Sequence, residues 1–158
     1  MINHTDEQNY MSVGAGMNQR YHQHMAEKWQ RCDRGFRIAV GVLSTLGICL
    51  SSVSAVSDAQ SLTAASLGVA AIATCVAIVL NVFPFGEWSQ SHATLFARWT
   101  DFREDIDQVK FMKATAQQDA LARLQPKYHR LCGQEPPADK KLLDRCFEEE
   151  EASRVCAA

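Results

Sequence analysis

IAVGVLSTLGICLSSVSAVSDAQSLTAASLGVAAIATCVAIVLNVF, residues 38 to 83, holds a single charged side chain, Asp58. That residue divides the stretch into two apolar runs. The first, Ile38 to Val56, extends roughly 28 Å as a helix and the second, Leu62 to Phe83, roughly 33 Å, at a rise of 1.5 Å per residue. A hydrocarbon core is about 30 Å thick, so each run is long enough to cross it. Only Ser57 to Ser61 lies between them, so two spanning helices would return as an antiparallel hairpin. The fold class expected is an all-α membrane protein built on a two-helix transmembrane hairpin.

Two other readings of this stretch are weaker. A soluble helical hairpin could account for the Ser, Thr, Ala and Gly that dilute the first run, but two consecutive uncharged stretches of this length are uncommon in a small soluble domain. A secretory signal could end at Val53-Ser54-Ala55, but its leading region is too long and a complete second span follows.

Working outward, Arg20, Lys28, Arg31, Arg34 and Arg37 precede the first span, and Arg98, Arg103, Lys110 and Lys113 follow the second, while the tip has no Lys or Arg. The positive-inside rule places both termini in the cytoplasm of a multi-pass protein of the plasma membrane. Cys32, Cys132, Cys146 and Cys156 then fall where thiols stay reduced, and Cys49 and Cys75 act as small apolar residues within the spans. No disulfide framework is expected. A net charge of -2 excludes a strongly basic nucleic-acid binder, and the run Glu148 to Glu151 reads as a solvated helix face.

The remainder divides simply. Residues 1–17 are polar and Gly-containing and read as a flexible N-terminus. Residues 18–37 read as an amphipathic cytoplasmic helix whose face is Tyr21, Met25, Trp29, Cys32 and Phe36. Its mixed charges favour packing on another helix over lying on lipid. The hairpin occupies 38–86, with Pro84 and Gly86 marking a break at its exit. Residues 87–125 lack Gly and Pro and read as one long cytoplasmic helix. Within it Leu95, Trp99, Phe102, Ile106, Val109, Lys113, Ala116 and Ala120 step by four and three, the seam of a coiled coil. That seam awaits the N-terminal helix, the same helix of a second copy, or both, and Trp99, Phe102, Ile106 and Trp29 are the candidate oligomer or helix-packing residues. Residues 126–158 read as a turn around Gly133 to Pro137 and a short helix opening near Asp139, with Leu142, Leu143, Cys146 and Phe147 on its apolar face.

Catalytic and metal chemistry find little footing. There is no phosphate loop and no nucleophile elbow. His22 and His24 point to different sides of a helix, and His129, Cys132, Cys146 and Cys156 match no zinc spacing. No enzyme activity, cofactor or metal is expected. With no ionisable residue inside the spans, a proton-coupled transporter is excluded. What the spans do carry is small and hydroxyl-bearing residues: Gly41, Ser44, Gly47, Ser51 and Ser54 in the first, and Ser66, Ala70, Thr74 and Ala77 in the second. Such stripes let helices approach closely. They equally suit a narrow wet path, for which Ser44, Ser51 and Ser54 are the pore-lining candidates. Asp58 reads as a turn former, with an acidic ring at the mouth of an oligomer as the competing role.

The segment Phe83-Pro84-Phe85-Gly86-Glu87-Trp88-Ser89-Gln90-Ser91-His92, followed by Arg98-Trp99-Thr100-Asp101-Phe102-Arg103-Glu104, resembles the stretch after the second span in the SLATT family. Phe85, Glu87, His92 and Arg103 stand at the matching juxtamembrane positions, and the layout from about Asn18 to Phe147 is similar. The resemblance implies a two-span effector of bacterial antiphage defence. It would be held inactive until a cytoplasmic sensor protein encoded nearby registers infection, and would then form pores in, or perturb, the inner membrane as a homo-oligomer. A non-conducting anchor that recruits a cytoplasmic partner and a holin-like lysis protein share the same two-span layout.

Overall fold

The computed structural model describes residues 4–57 and 60–155. Its regular structure is α1 (His4–Ser57), α2 (Gln60–Val82), α3 (Phe85–Val109), α4 (Ala114–Cys132) and α5 (Lys140–Val155), with no strand among the described residues. Two helices, α1 and the one opening at Gln60, are long and apolar enough to cross a membrane. Asp58, the expected tip residue, and Cys156 lie outside the described residues. Contacts divide the chain into two units: Met1–Ala26 with Gln90–Ala158, and Glu27–Ser89.

The first unit is built on the aromatic seam. Leu95, Trp99, Phe102, Ile106 and Val109 are all buried, as their four-and-three spacing requires. Trp99, Phe102, Ile106 and Val109 share one core with Met11 and Ala15 of α1 and with Leu121, Tyr128 and Leu131 of α4. At about 1.5–3 kcal/mol for each large side chain removed from water, this cluster is the main source of the unit's stability. Trp99, Phe102 and Ile106 are 0% exposed within a single chain. They are therefore helix-packing residues and are not available to a second copy, which corrects the oligomer role the seam suggested.

Three boundaries also differ from the sequence expectation. Residues 4–17 are helical and carry Met11 and Ala15 into the core, so most of the stretch expected to be flexible is structural. Its two glycines are close-approach positions. A Cβ at Gly14 would collide with the Tyr128 hydroxyl, and one at Gly16 with the Glu150 carboxyl group.

The long helix expected over 87–125 is two helices. The end of α3 tightens through three successive i to i−3 bonds, from the amides of Lys110, Phe111 and Met112 to the carbonyls of Asp107, Gln108 and Val109. Lys113 is then extended and caps α4, its carbonyl accepting from Ala116 and Gln117. The break lets α4 return along α3, with Lys127 reaching Asp105 and Arg98 reaching Gln134. Apolar contacts on both sides of the turn outweigh the uninterrupted helical propensity.

Finally, Pro126 lies inside α4, where it ends nothing. Leu121 before it and Tyr128 and Leu131 after it are packed in the core, which offsets the backbone bond a proline cannot make. The short last helix opens as expected: Asp139 Oδ1 accepts from the amides of Lys141 and Leu142 at 3.1 and 3.4 Å.

The second unit comprises the C-terminal part of α1, all of α2 and the start of α3. Gly47 of α1 faces Val69 of α2, and the Phe36 ring of α1 stacks on Phe85 of α3 at 5.4 Å and 4°. Trp29 also stacks on Phe85 and meets Trp88 edge-on, and Phe83 completes the cluster. Of the residues read as one apolar face, Tyr21 and Met25 are buried in the first unit, and the half-buried Trp29 and Phe36 join this cluster. The break at Pro84 is present between α2 and α3.

Candidate functional site

In the second unit the small-residue stripes meet. Ser44, Gly47 and Ser51 of α1 line one groove of about 500 Å³ with Ser66, Ala70 and Thr74 of α2. Three of the hydroxyls named bond to their own helices: Ser51 donates to the Gly47 carbonyl at 2.8 Å, Ser66 to Thr63 at 2.9 Å and Thr74 to Ala70 at 2.9 Å. Hydroxyls satisfied in this way tolerate an apolar surround, because no polar group is left bare. Ser54, the third pore-lining candidate, bonds to the Ser51 carbonyl and does not line the groove. The outer surface of both helices is apolar: Ile38, Val42, Leu46, Ile48, Val53, Leu67, Ile72 and Ile78 are exposed. Of the most apolar window in each candidate span, 0% and 6% is buried.

The first unit has a polar interior that sequence reasoning missed. Glu150, placed in the sequence as part of a solvated run, is 0% exposed. Its carboxylate accepts from Arg20 Nε at 3.0 Å, Arg103 Nη2 at 3.1 Å and Arg154 Nε at 3.3 Å. Arg103 also donates to Gln19 Oε1, whose amide donates to Thr100, and Arg154 donates to Ser12. One buried anion thus ties α1, α3 and α5 together. The signal available in the sequence was Gly16, which gives the carboxylate its space.

A second polar contact joins His22 and His92, whose Nδ1 atoms are 2.9 Å apart and buried. One nitrogen must donate and the other accept, so the pair accommodates at most one imidazolium. Burial, and then His22, hold the His92 imidazole below its ordinary value. His22 Nε2 faces Glu135 Oε1 at 3.5 Å, and neither atom has a hydrogen-bond partner among the described residues. The Tyr21 ring abuts both histidines edge-on, and its hydroxyl accepts from the Asp139 amide. His24, two residues on, turns away to Glu149.

Of the juxtamembrane residues, His92 and Arg103 enter these two polar contacts, Phe85 centres the aromatic cluster, and Glu87 is exposed. Cys146 is fully buried, and that burial pushes its thiol up, away from the thiolate a nucleophile or metal ligand needs. Among the described residues, no group of three His, Cys, Asp or Glu side chains is placed to hold a metal. Comparison with protein-family models, curated proteins and solved structures finds no match to this chain.

Proposed function

We propose that this chain is a membrane effector whose segments 38–56 and 62–83 cross the bacterial inner membrane as a hairpin, with both termini in the cytoplasm. The observation that carries the reading is the unburied apolar surface of both helices. Each large apolar side chain left in water forgoes about 1.5–3 kcal/mol, and lipid removes that cost. Three further features support it. The first and last parts of the chain form one unit, so the intervening segment must cross an even number of times. The aromatic cluster of Trp29, Phe83, Phe85 and Trp88 has the composition of an interfacial belt. Lys28, Arg31, Arg34 and Arg37 supply the positive charge of a cytoplasmic flank.

The effector acts without enzymatic turnover or cofactor. It assembles as a homo-oligomer and either opens a path along the hydroxyl-lined groove or perturbs the bilayer. A role in antiphage defence, released by a cytoplasmic sensor, follows from the SLATT resemblance. The own-helix bonding of Ser51, Ser66 and Thr74 favours a second reading, a non-conducting anchor in which the groove only packs helices. A holin-like role would instead show as rescue of phage lysis timing.

The test is induction of the chain in bacteria, alone and with its neighbouring genes, while membrane potential and dye entry are followed. Depolarisation that is lost when Ser44, Ser51 and Ser54 become Leu supports a conducting path. Depolarisation that persists supports bilayer perturbation, and none under any condition supports the anchor.

A further inference from the structure

We propose that the turn between α3 and α4 pairs two copies of this chain, with Phe111 of each seated in a groove of the other. The inference deepens the oligomer named above and rests on that reading. Phe111 is 90% exposed at the turn, the most exposed aromatic side chain among the described residues. It sits on a bonded backbone, held by the i to i−3 amides and by Gln117 Nε2 donating to the Met112 carbonyl at 3.0 Å. A knob presented in this way loses little conformational freedom on docking.

The hole lies beside the knob. Val109, Ala116, Ala120 and Leu124 line a groove of about 450 Å³, ample for a phenyl ring. It exists because Ala116 and Ala120 of α4, which returns along α3, are side chains too short to fill the space beside Val109. Met112 and Arg123 also line it, as do the carboxylates Asp105 and Asp119. The knob is flanked by Lys110 and Lys113. Lys110 is paired with Asp107, and Asp105 with Lys127, whereas Lys113 and Asp119 form no ion pair among the described residues. A second copy would bring one to the other. Because knob and groove are neighbours on one surface, seating the first Phe111 brings the second to the first groove, a closed two-fold contact. Lys113 beside the knob and Asp119 in the groove, on the same surface, fit a second copy of this chain better than a lipid headgroup.

The test places p-benzoylphenylalanine at position 111 in the full chain, irradiates native membranes and maps the product by mass spectrometry. A homodimer adduct within 116–124 is expected. Asp119→Lys should lower its yield roughly tenfold, since like charges across a contact cost heavily, and adding Lys113→Asp should restore it. Adducts only to lipid or to another protein, a homodimer mapping elsewhere, or no adduct overturn the proposal. Membrane potential in the same cultures keeps the two readings apart. Depolarisation without the adduct sinks only this contact, and the adduct without depolarisation sinks only the conducting path.

Discussion

The two units of this chain are organised in opposite senses. In the unit that holds both ends, Trp99, Phe102 and Ile106 are hidden and even a carboxylate is buried among arginines. In the other, Leu67 and Ile72 face outward while Gly47 and Ser66 lie at the helix contact. Outside-in burial of bulky residues is what water selects. Small residues inside and aliphatic residues outside are what a lipid surround permits, since tails compete with helices for apolar contact. One chain therefore carries two solutions to the packing problem.

Breaking the first unit should leave the second untouched, and the sharpest break is Trp99→Asp. A carboxylate in that core should cost more than about 4 kcal/mol and unfold the unit. Proteolysis of the membrane fraction would then remove the segments flanking 27–89, while alkaline carbonate still leaves the chain in the pellet. Extraction of the chain would show that the two units are not independent.

Glu150→Ala comes next. Removing one partner of a buried charge cluster costs about 3–5 kcal/mol, and the partial exposure of the three arginines puts the value near the lower end. Thermal unfolding in detergent would read it, and Glu150→Gln should cost less than Ala because it keeps acceptor geometry.

Gly16→Ala should cost about 1–3 kcal/mol, because the added methyl must displace the Glu150 carboxyl. Gly41→Ala, with open space around the site, should change little in the same melt.

The smallest effect is that of pH. His92 is held below its ordinary value of 6.5, so the unfolded state takes up its proton first as pH falls. The contribution of neutral His92 is complete above about pH 6.5 and declines below it. Melts at pH 7.5 and 5.5 should differ less in His92→Gln than in the parent. The other groups facing this site, His22, Glu135 and Tyr21, remain in both proteins.

What could be read in advance followed periodicity. Apolar length marked the two long helices, and four-and-three spacing marked Trp99, Phe102 and Ile106 as buried. What escaped depended on partners far away in the chain. Glu150 looks no different from Glu148 or Glu151 until Arg20, 130 residues earlier, is placed beside it. Gly14 and Gly16 resembled a loose terminus because a close approach has no signature apart from the residue approached. The break after Val109 lacks Gly and Pro, since it is made by packing across the turn. Of the groove, Ser44 and Ser51 were legible by helical spacing. The bonds of Ser51, Ser66 and Thr74 to their own backbone, which weaken the pore reading, were not.

The contact between Arg20 and Glu150 also has a meaning in time. The two residues are 130 apart in the chain, so at roughly 5–20 residues per second the arginine leaves the ribosome some 6–26 s before its anion does. The whole of the second unit is made in that interval. The arm carrying Met11, Ala15 and Tyr21 is thus made well before the residues that secure it. Until Glu150 emerges it is a natural client for a chaperone.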